Sequence, residues 1–252
     1  MSDAPFAFLP RGAILQSFVV GGTNIVQGFP TTEGYEANGD PYFGETIGRV
    51  ANRIGGARLN SVNGRSYALA ANNGPNNLHG GDVGWGKKDW AGPTPVGVRQ
   101  IPGVEGLEGG ESVRFALTSD DGDEGFPGKV EASVVYTAGT QKEGGREVVV
   151  LGIEYEAELV SGADETPINM TNHSCVHPEL AEARRADFLL ATSTCRAPRP
   201  SRAPSSRSSP TATFPSTTAA SRRPAPPPLA SSRATRPSRW APRSPTSTTA
   251  SS

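Results

Sequence analysis

Apolar and polar positions along the first 195 residues alternate mostly with period two. The clearest run is VVVLGIEYEAELV, where Ile153, Tyr155, Ala157 and Leu159 fall on one face and Glu154, Glu156 and Glu158 on the other. That is the pattern of a strand with one buried side, and it leaves the glutamates as a solvated row. Shorter runs of the same kind, AILQSFVV, SVRFAL, KVEASVVYTA and DFLLAT, predict further strands. Turn chemistry separates them. Val62-Asn63-Gly64-Arg65 reads as a tight hairpin, and Asp120-Asp121-Gly122-Asp123-Glu124-Gly125 as a polar, glycine-punctuated loop. No stretch shows sustained 3.6-residue periodicity, so no helix is predicted. The Gly- and Asn-rich connection from Ala70 to Lys88 predicts an irregular loop on a rigid sheet, a usual place for a binding site. The fold class expected is all-β: a large antiparallel β-sandwich.

Composition divides the chain of 252 residues in two. Between Arg196 and Ser252, 54 of 57 residues are Arg, Pro, Ser, Thr or Ala, with no acid and no glycine. Residues 1–195 hold 14 basic and 25 acidic side chains, net −11, and the tail's ten arginines cancel most of that charge. The expected organisation is therefore an incomplete sandwich domain over 1–195 and a low-complexity tail over 196–252 that does not fold. No run of 18 apolar residues occurs, which argues against a membrane-spanning helix. The N-terminal residues lack a basic segment followed by an apolar one, so a cytoplasmic location with Cys175 and Cys195 as reduced thiols is expected. The Asn-x-Ser/Thr matches at Asn169 and Asn172 then read as chance.

The chain has three histidines. His79 lies in GPNNLHGGDVGW, where glycines allow close backbone approach to a ligand, and His173 lies in PINMTNHS at the end of an alternating segment. Imidazole suits proton transfer near neutrality, yet a lone histidine is also a common structural residue, and local spacing does not decide between these roles. Arg53, in GETIGRVANRI, stands among small and apolar neighbours and either pairs internally or faces a polar ligand. His173, Cys175 and His177 alternate and would share a strand face. They lack a fourth ligand and the usual zinc spacings, so no metal is expected. The Asp121–Gly125 loop lacks the ligand at position 5 and the closing Glu of a calcium loop, and reads better as a hairpin turn.

Four strings occur in register: DPYFGETIGRVANRI, GPNNLHGGDVGWGKKDW, DGDEGFPGKVEASVVYT and TPINMTNHS. Together, over about residues 10–194, they resemble the aldose 1-epimerase (galactose mutarotase) family. The resemblance implies a large β-sandwich, no cofactor, and interconversion of the α and β anomers of a free aldohexose such as galactose or glucose. By similarity His173 is the general acid on the ring oxygen. His79 binds the sugar and assists catalysis, while Asn52 and Arg53 hydrogen-bond its hydroxyls. Trp85 forms an apolar wall near the sugar or packs in the core.

The chain also departs from the family. The resemblance implies a general-base Glu and a sugar-holding Asp in segments after residue 195, a region that here contains no acid. After TNHS the family continues with an aromatic residue and Asn-Leu, where this chain has Cys175-Val176-His177-Pro178. ADFLLATST resembles the strand expected next, and the tail then begins. Five residue types with GC-rich codons suggest an out-of-frame translation, which resequencing of the transcript tests. A genuine basic disordered tail is the other reading, and it would allow weak nonspecific binding to nucleic acid without a dedicated RNA partner. As written, the chain is expected to be prone to aggregation and to be weakly active or inactive. Two other functions stay open: a noncatalytic carbohydrate-binding sandwich, and a hexose-6-phosphate 1-epimerase, for which no basic cluster is evident.

Overall fold

The alternating segments form strands, and buried residues of the AILQSFVV, SVRFAL, KVEASVVYTA and VVVLGIEYEAELV runs share one apolar cluster. A computed structural model describes residues 5–177 in full and the backbone of 188–196; the sequence from 197 onward lies outside the described residues. Numbered in chain order, β1 (Phe6–Leu9), β2 (Ile14–Val20) and β3 (Thr23–Asn24) make a three-stranded antiparallel sheet. Three two-stranded ribbons follow: β4 (Thr46–Ile47) pairs with β13 (Thr171–Asn172), β5 (Arg53–Ile54) with β8 (Asn77–Leu78), and β6 (Arg58–Val62) with β7 (Arg65–Ala68). The main sheet has the order β14-β12-β11-β10-β9, from β9 (Ala91–Val98), β10 (Glu108–Ser119), β11 (Lys129–Glu143), β12 (Arg146–Ser161) and β14 (Phe188–Arg196).

The predicted alternation in β12 is present. Ile153 and Tyr155 are buried and Ala157 and Leu159 half-buried, while Glu156 and Glu158 are exposed and Glu154 pairs with Arg99 at 3.0 Å. Phe18 and Val20 of the small sheet share a core with Phe115, Val134, Tyr136, Leu151 and Ile153 of the large one. Phe8 of β1 bridges them, its ring 4.5 Å from that of Tyr136 and 5.9 Å from that of Phe115. Burying each such side chain stabilises the fold by about 1.5–3 kcal/mol, which is why the two sheets stay face to face as a sandwich.

Two local features differ from the pattern. A six-residue helix, α1 (Thr32–Ala37), begins where the Thr31 hydroxyl accepts the Gly34 amide at 3.3 Å. It is too short to show a periodicity. The second difference is β14, which lies parallel to β12, with Val149 opposite Phe188. The Asn63-Gly64 hairpin forms as expected: Val62 pairs with Arg65, and both turn residues have positive φ, as a type I′ turn requires.

Trp85 belongs to the core, being 1% exposed with its ring edge-on to Trp90 at 6.1 Å. Its ring presses on Gly48, where a Cβ would lie 2.1 Å from it. The acids of the 120–125 turn serve protein donors. Asp121 accepts the Gly128 amide, and Asp123 accepts Ser119 and pairs with Lys88. Beneath this turn, the buried Arg49 donates to the Ser119, Asp120 and Pro127 carbonyls and to the Ser119 and Thr166 hydroxyls.

Candidate active site

Two short ribbons deliver the two histidines. His79 follows β8, whose partner β5 carries Arg53 opposite Leu78. Side-chain amides shape this loop. Asn72 donates to the carbonyls of Leu78 (2.9 Å) and Gly81 (2.7 Å) and accepts the Leu78 amide at 2.7 Å, while Asn77 donates to the Ala70 carbonyl. The chain turns through positive φ at His79 (52°), Gly80 (91°) and Gly81 (129°). Gly80 is required there, since a Cβ would lie 1.9 Å from the Gly48 carbonyl oxygen. Across the turn, Glu124 accepts the amides of Asp82 and Val83.

His173 follows β13, whose Asn172 sits opposite Thr46 of β4. Its amide donates to the Glu45 carbonyl at 2.8 Å, and its carbonyl accepts the Gly44 amide at 3.1 Å. The Asn172 side chain donates to the Gly44 carbonyl at 2.9 Å and to the Tyr136 hydroxyl at 3.3 Å. These bonds occupy the amide that a glycan would need.

The ribbons bring the rings together. The His79 and His173 ring centres lie 5.2 Å apart at 84°, and Tyr42 contacts both, at 4.7 and 5.8 Å. Asn52 and His79 bond reciprocally: the His79 amide donates to the Asn52 carbonyl at 2.9 Å, and the Asn52 amide donates to His79 Nδ1 at 3.2 Å. Arg53 is exposed and donates from Nε to Asn73 Oδ1 (2.9 Å) and from Nη1 to Asn52 Oδ1 (3.0 Å). Both acceptors are neutral, and among the described residues its charge meets no carboxylate. Thus Asn52, Arg53, His79 and His173, drawn from three separate stretches of the chain, form one cluster.

Three contributors escape a reading of the sequence: Tyr42, Lys87 and Glu45. The Lys87 ammonium lies 4.1 Å from the Tyr42 ring centre and bonds Glu45 Oε1 at 2.7 Å and the Asp40 carbonyl at 2.8 Å. Arg11 pairs with Asp40 at 2.7 Å. Glu45 is fully buried, and its second oxygen has no hydrogen-bond partner among the described residues. Burial pushes its pKa up to about 7, outweighing the opposing pull of Lys87. Burial also pulls His79 down to about 4, helped by the positive charges of His173, Arg53 and Lys87. Tyr42 is raised by burial and by Glu45, Asp40 and Asp82. Tyr42 and Glu45 both lie in the DPYFGETIG string, but their contacts with residues 79, 87 and 173 are long-range and leave no local signature.

His177 donates its amide to the Ile25 carbonyl, and the Cys175 thiol lies 3.9 Å from the His173 carbonyl. Among the described residues no group of three His, Cys, Asp or Glu is gathered as a metal would need. No described helix is long and apolar enough to cross a membrane. A depression of about 280 Å³ bordered by Ser61, Val62, Glu165, Thr166 and Pro167 includes none of the clustered residues.

Comparison with known proteins places the chain in a family. Residues 5–178 match the model of the aldose 1-epimerase family, and the chain belongs to that family. Galactose mutarotase of Bos taurus is 41% identical over 152 residues, covering 60% of this chain and 36% of the relative. The bifunctional protein GAL10 of Pachysolen tannophilus is 39% identical over 167 residues, covering 65% of this chain and 22% of the relative. Among solved structures, a GalM/aldose epimerase homologue from C. elegans is 31% identical with a TM-score of 0.49, covering 68% of this chain and 47% of that one. The chain therefore spans about a third or less of the length of these two curated relatives.

Proposed function

We propose that the cluster is a sugar site of the aldose 1-epimerase type, which binds a free hexose and assists opening of its ring. The observation that carries this reading is the convergence of His79 and His173 around Tyr42, with Arg53 bonded to Asn52 beside His79. Anomer exchange needs two proton movements. A base takes the proton of the C1 hydroxyl as C1=O forms. The bond from C1 to the ring oxygen breaks, and an acid delivers a proton to that oxygen. Rotation about C1–C2 and reclosure then give either anomer. His173 is assigned as the acid. His79 and Arg53 hold hydroxyl oxygens, with Arg53 suited by its fixed, permanently charged donors.

The base is the missing part. The tail from Arg196 to Ser252 contains no Asp or Glu, so the family's C-terminal carboxylate has no counterpart there. A positioned acid or base typically contributes ~10²–10⁴-fold, and the chain as written is expected to keep sugar binding while losing much of the acceleration. Polarimetry of freshly dissolved α-galactose, with galactose titration of the full chain followed by NMR, tests this. Binding with a rate above buffer that disappears in His173→Ala supports the enzyme. Binding without acceleration makes the chain a carbohydrate-binding module, a reading favoured by the acid-free tail. A chain on which galactose shifts no resonance refutes both.

A further inference from the structure

The two imidazoles of the cluster are held in different ways. Among the described residues the hydrogen bonds of His173 run through its main chain, to the Glu45 carbonyl, the Gly44 amide and the Cys175 thiol. His79 is tied also through its ring, because Nδ1 accepts the main-chain amide of Asn52. A ring nitrogen that accepts a hydrogen bond carries no proton, so the proton of a neutral His79 resides on Nε2. The bond depends on an uncommon backbone. Asn52 has φ +59°, which an Asn tolerates better than most residues, and the reciprocal bond to its carbonyl closes the pair.

The surroundings oppose a second proton on this ring. Tyr42 and His173 cover it, and the neighbouring side chains of Arg53 and Lys87 are cationic. The neighbouring acids are engaged elsewhere. Asp40 and Glu45 bond Lys87, Asp40 also pairs with Arg11, and Glu124 accepts the Asp82 and Val83 amides. Asp82 acts on Tyr42.

We infer that the main-chain amide of Asn52 fixes His79 as its Nε2–H tautomer, so that His79 serves the site as a hydrogen-bond donor of set direction and leaves the moving proton to His173. Asn52 is on this view a positioning residue that acts through its backbone. The sugar oxygen that Nε2–H meets rests on the proposed function, but the tautomer does not.

The test is long-range ¹H–¹⁵N correlation NMR of the full chain labelled with ¹⁵N-histidine, from pH 5 to pH 8. His79→Gln and His177→Gln identify the signals. The expected result is a His79 pattern with Nε2 protonated and Nδ1 bare at every pH, retained in Asn52→Gly, which keeps both the amide and the positive φ. In Asn52→Val, which strains that φ, the pattern is expected to become a tautomer mixture. A His79 carrying its proton on Nδ1, or on both nitrogens at pH 6, overturns the inference in the wild-type chain alone, whether or not Asn52→Val folds. Added galactose separates the two claims. A fixed tautomer with no response to galactose counts against the sugar site and for the inference, whereas a response with the wrong tautomer does the reverse.

Discussion

Replacing Glu45 by Gln turns the buried carboxyl into a measurable pH dependence. The Glu45 side chain is fully buried, with one oxygen on Lys87 Nζ at 2.7 Å and the other without a hydrogen-bond partner among the described residues. Folding raises its pKa from 4.5 to about 7, burial being the largest cause. The folded value lies above the unfolded one, so the neutral carboxyl favours the fold. This contribution is complete below pH 4.5 and is lost as pH rises through about 7. The rise corresponds to about 3 kcal/mol. His79 acts in the opposite sense: its folded value near 4 lies below the ordinary 6.5, so its contribution is present above 6.5 and lost as pH falls. The two effects oppose each other in the wild type, and the difference between wild type and Glu45→Gln isolates the carboxyl. Urea denaturation of both chains from pH 4.5 to pH 8 should show Glu45→Gln gaining about 3 kcal/mol relative to wild type across that range, a midpoint change of roughly 1–3 M. A difference that stays flat with pH would refute the reasoning and mean that Lys87 keeps Glu45 ionised throughout.

Other substitutions probe the frame and the loop. Arg49→Met should cost about 3 kcal/mol or more in urea denaturation, because the Ser119, Asp120 and Pro127 carbonyls lose their buried donor. Gly64→Val places a Cβ in open space but at φ +70°, so it should cost about 1–2 kcal/mol purely through backbone strain. Gly80→Ala must push the loop off the Gly48 carbonyl; displaced His79 ring signals with unchanged His177 signals are the expected NMR result.

The strands were legible because each buries one side, so that a period-two pattern maps directly onto burial, as in Ile153 and Tyr155 against Glu156 and Glu158. The Asn63-Gly64 turn was legible because its φ values narrow the residue choice. Helix α1 was not predicted, because six residues give less than two turns. The parallel placement of β14 has no local signature, because alternation does not encode strand direction. Motif strings singled out His79, His173, Asn52 and Arg53 as candidates, and the structure brings these four together. Tyr42, Lys87 and Glu45 were not singled out, because their role consists of contacts made only when β4 meets β13 and the 79–88 loop folds over them.

The loop that presents His79 is braced by the carboxamides of Asn72 and Asn77 and by the peptide carbonyl of Asn52, which accepts the His79 amide. Carboxamides and peptides neither gain nor lose protons in ordinary buffers, and their bonds carry no net charge for dissolved ions to shield. Acidifying or salting the solution thus leaves this brace intact. A change in ligand affinity under those conditions would report on the rings, on Arg53 or on the Glu124 clamp, and not on the amide scaffold beneath them.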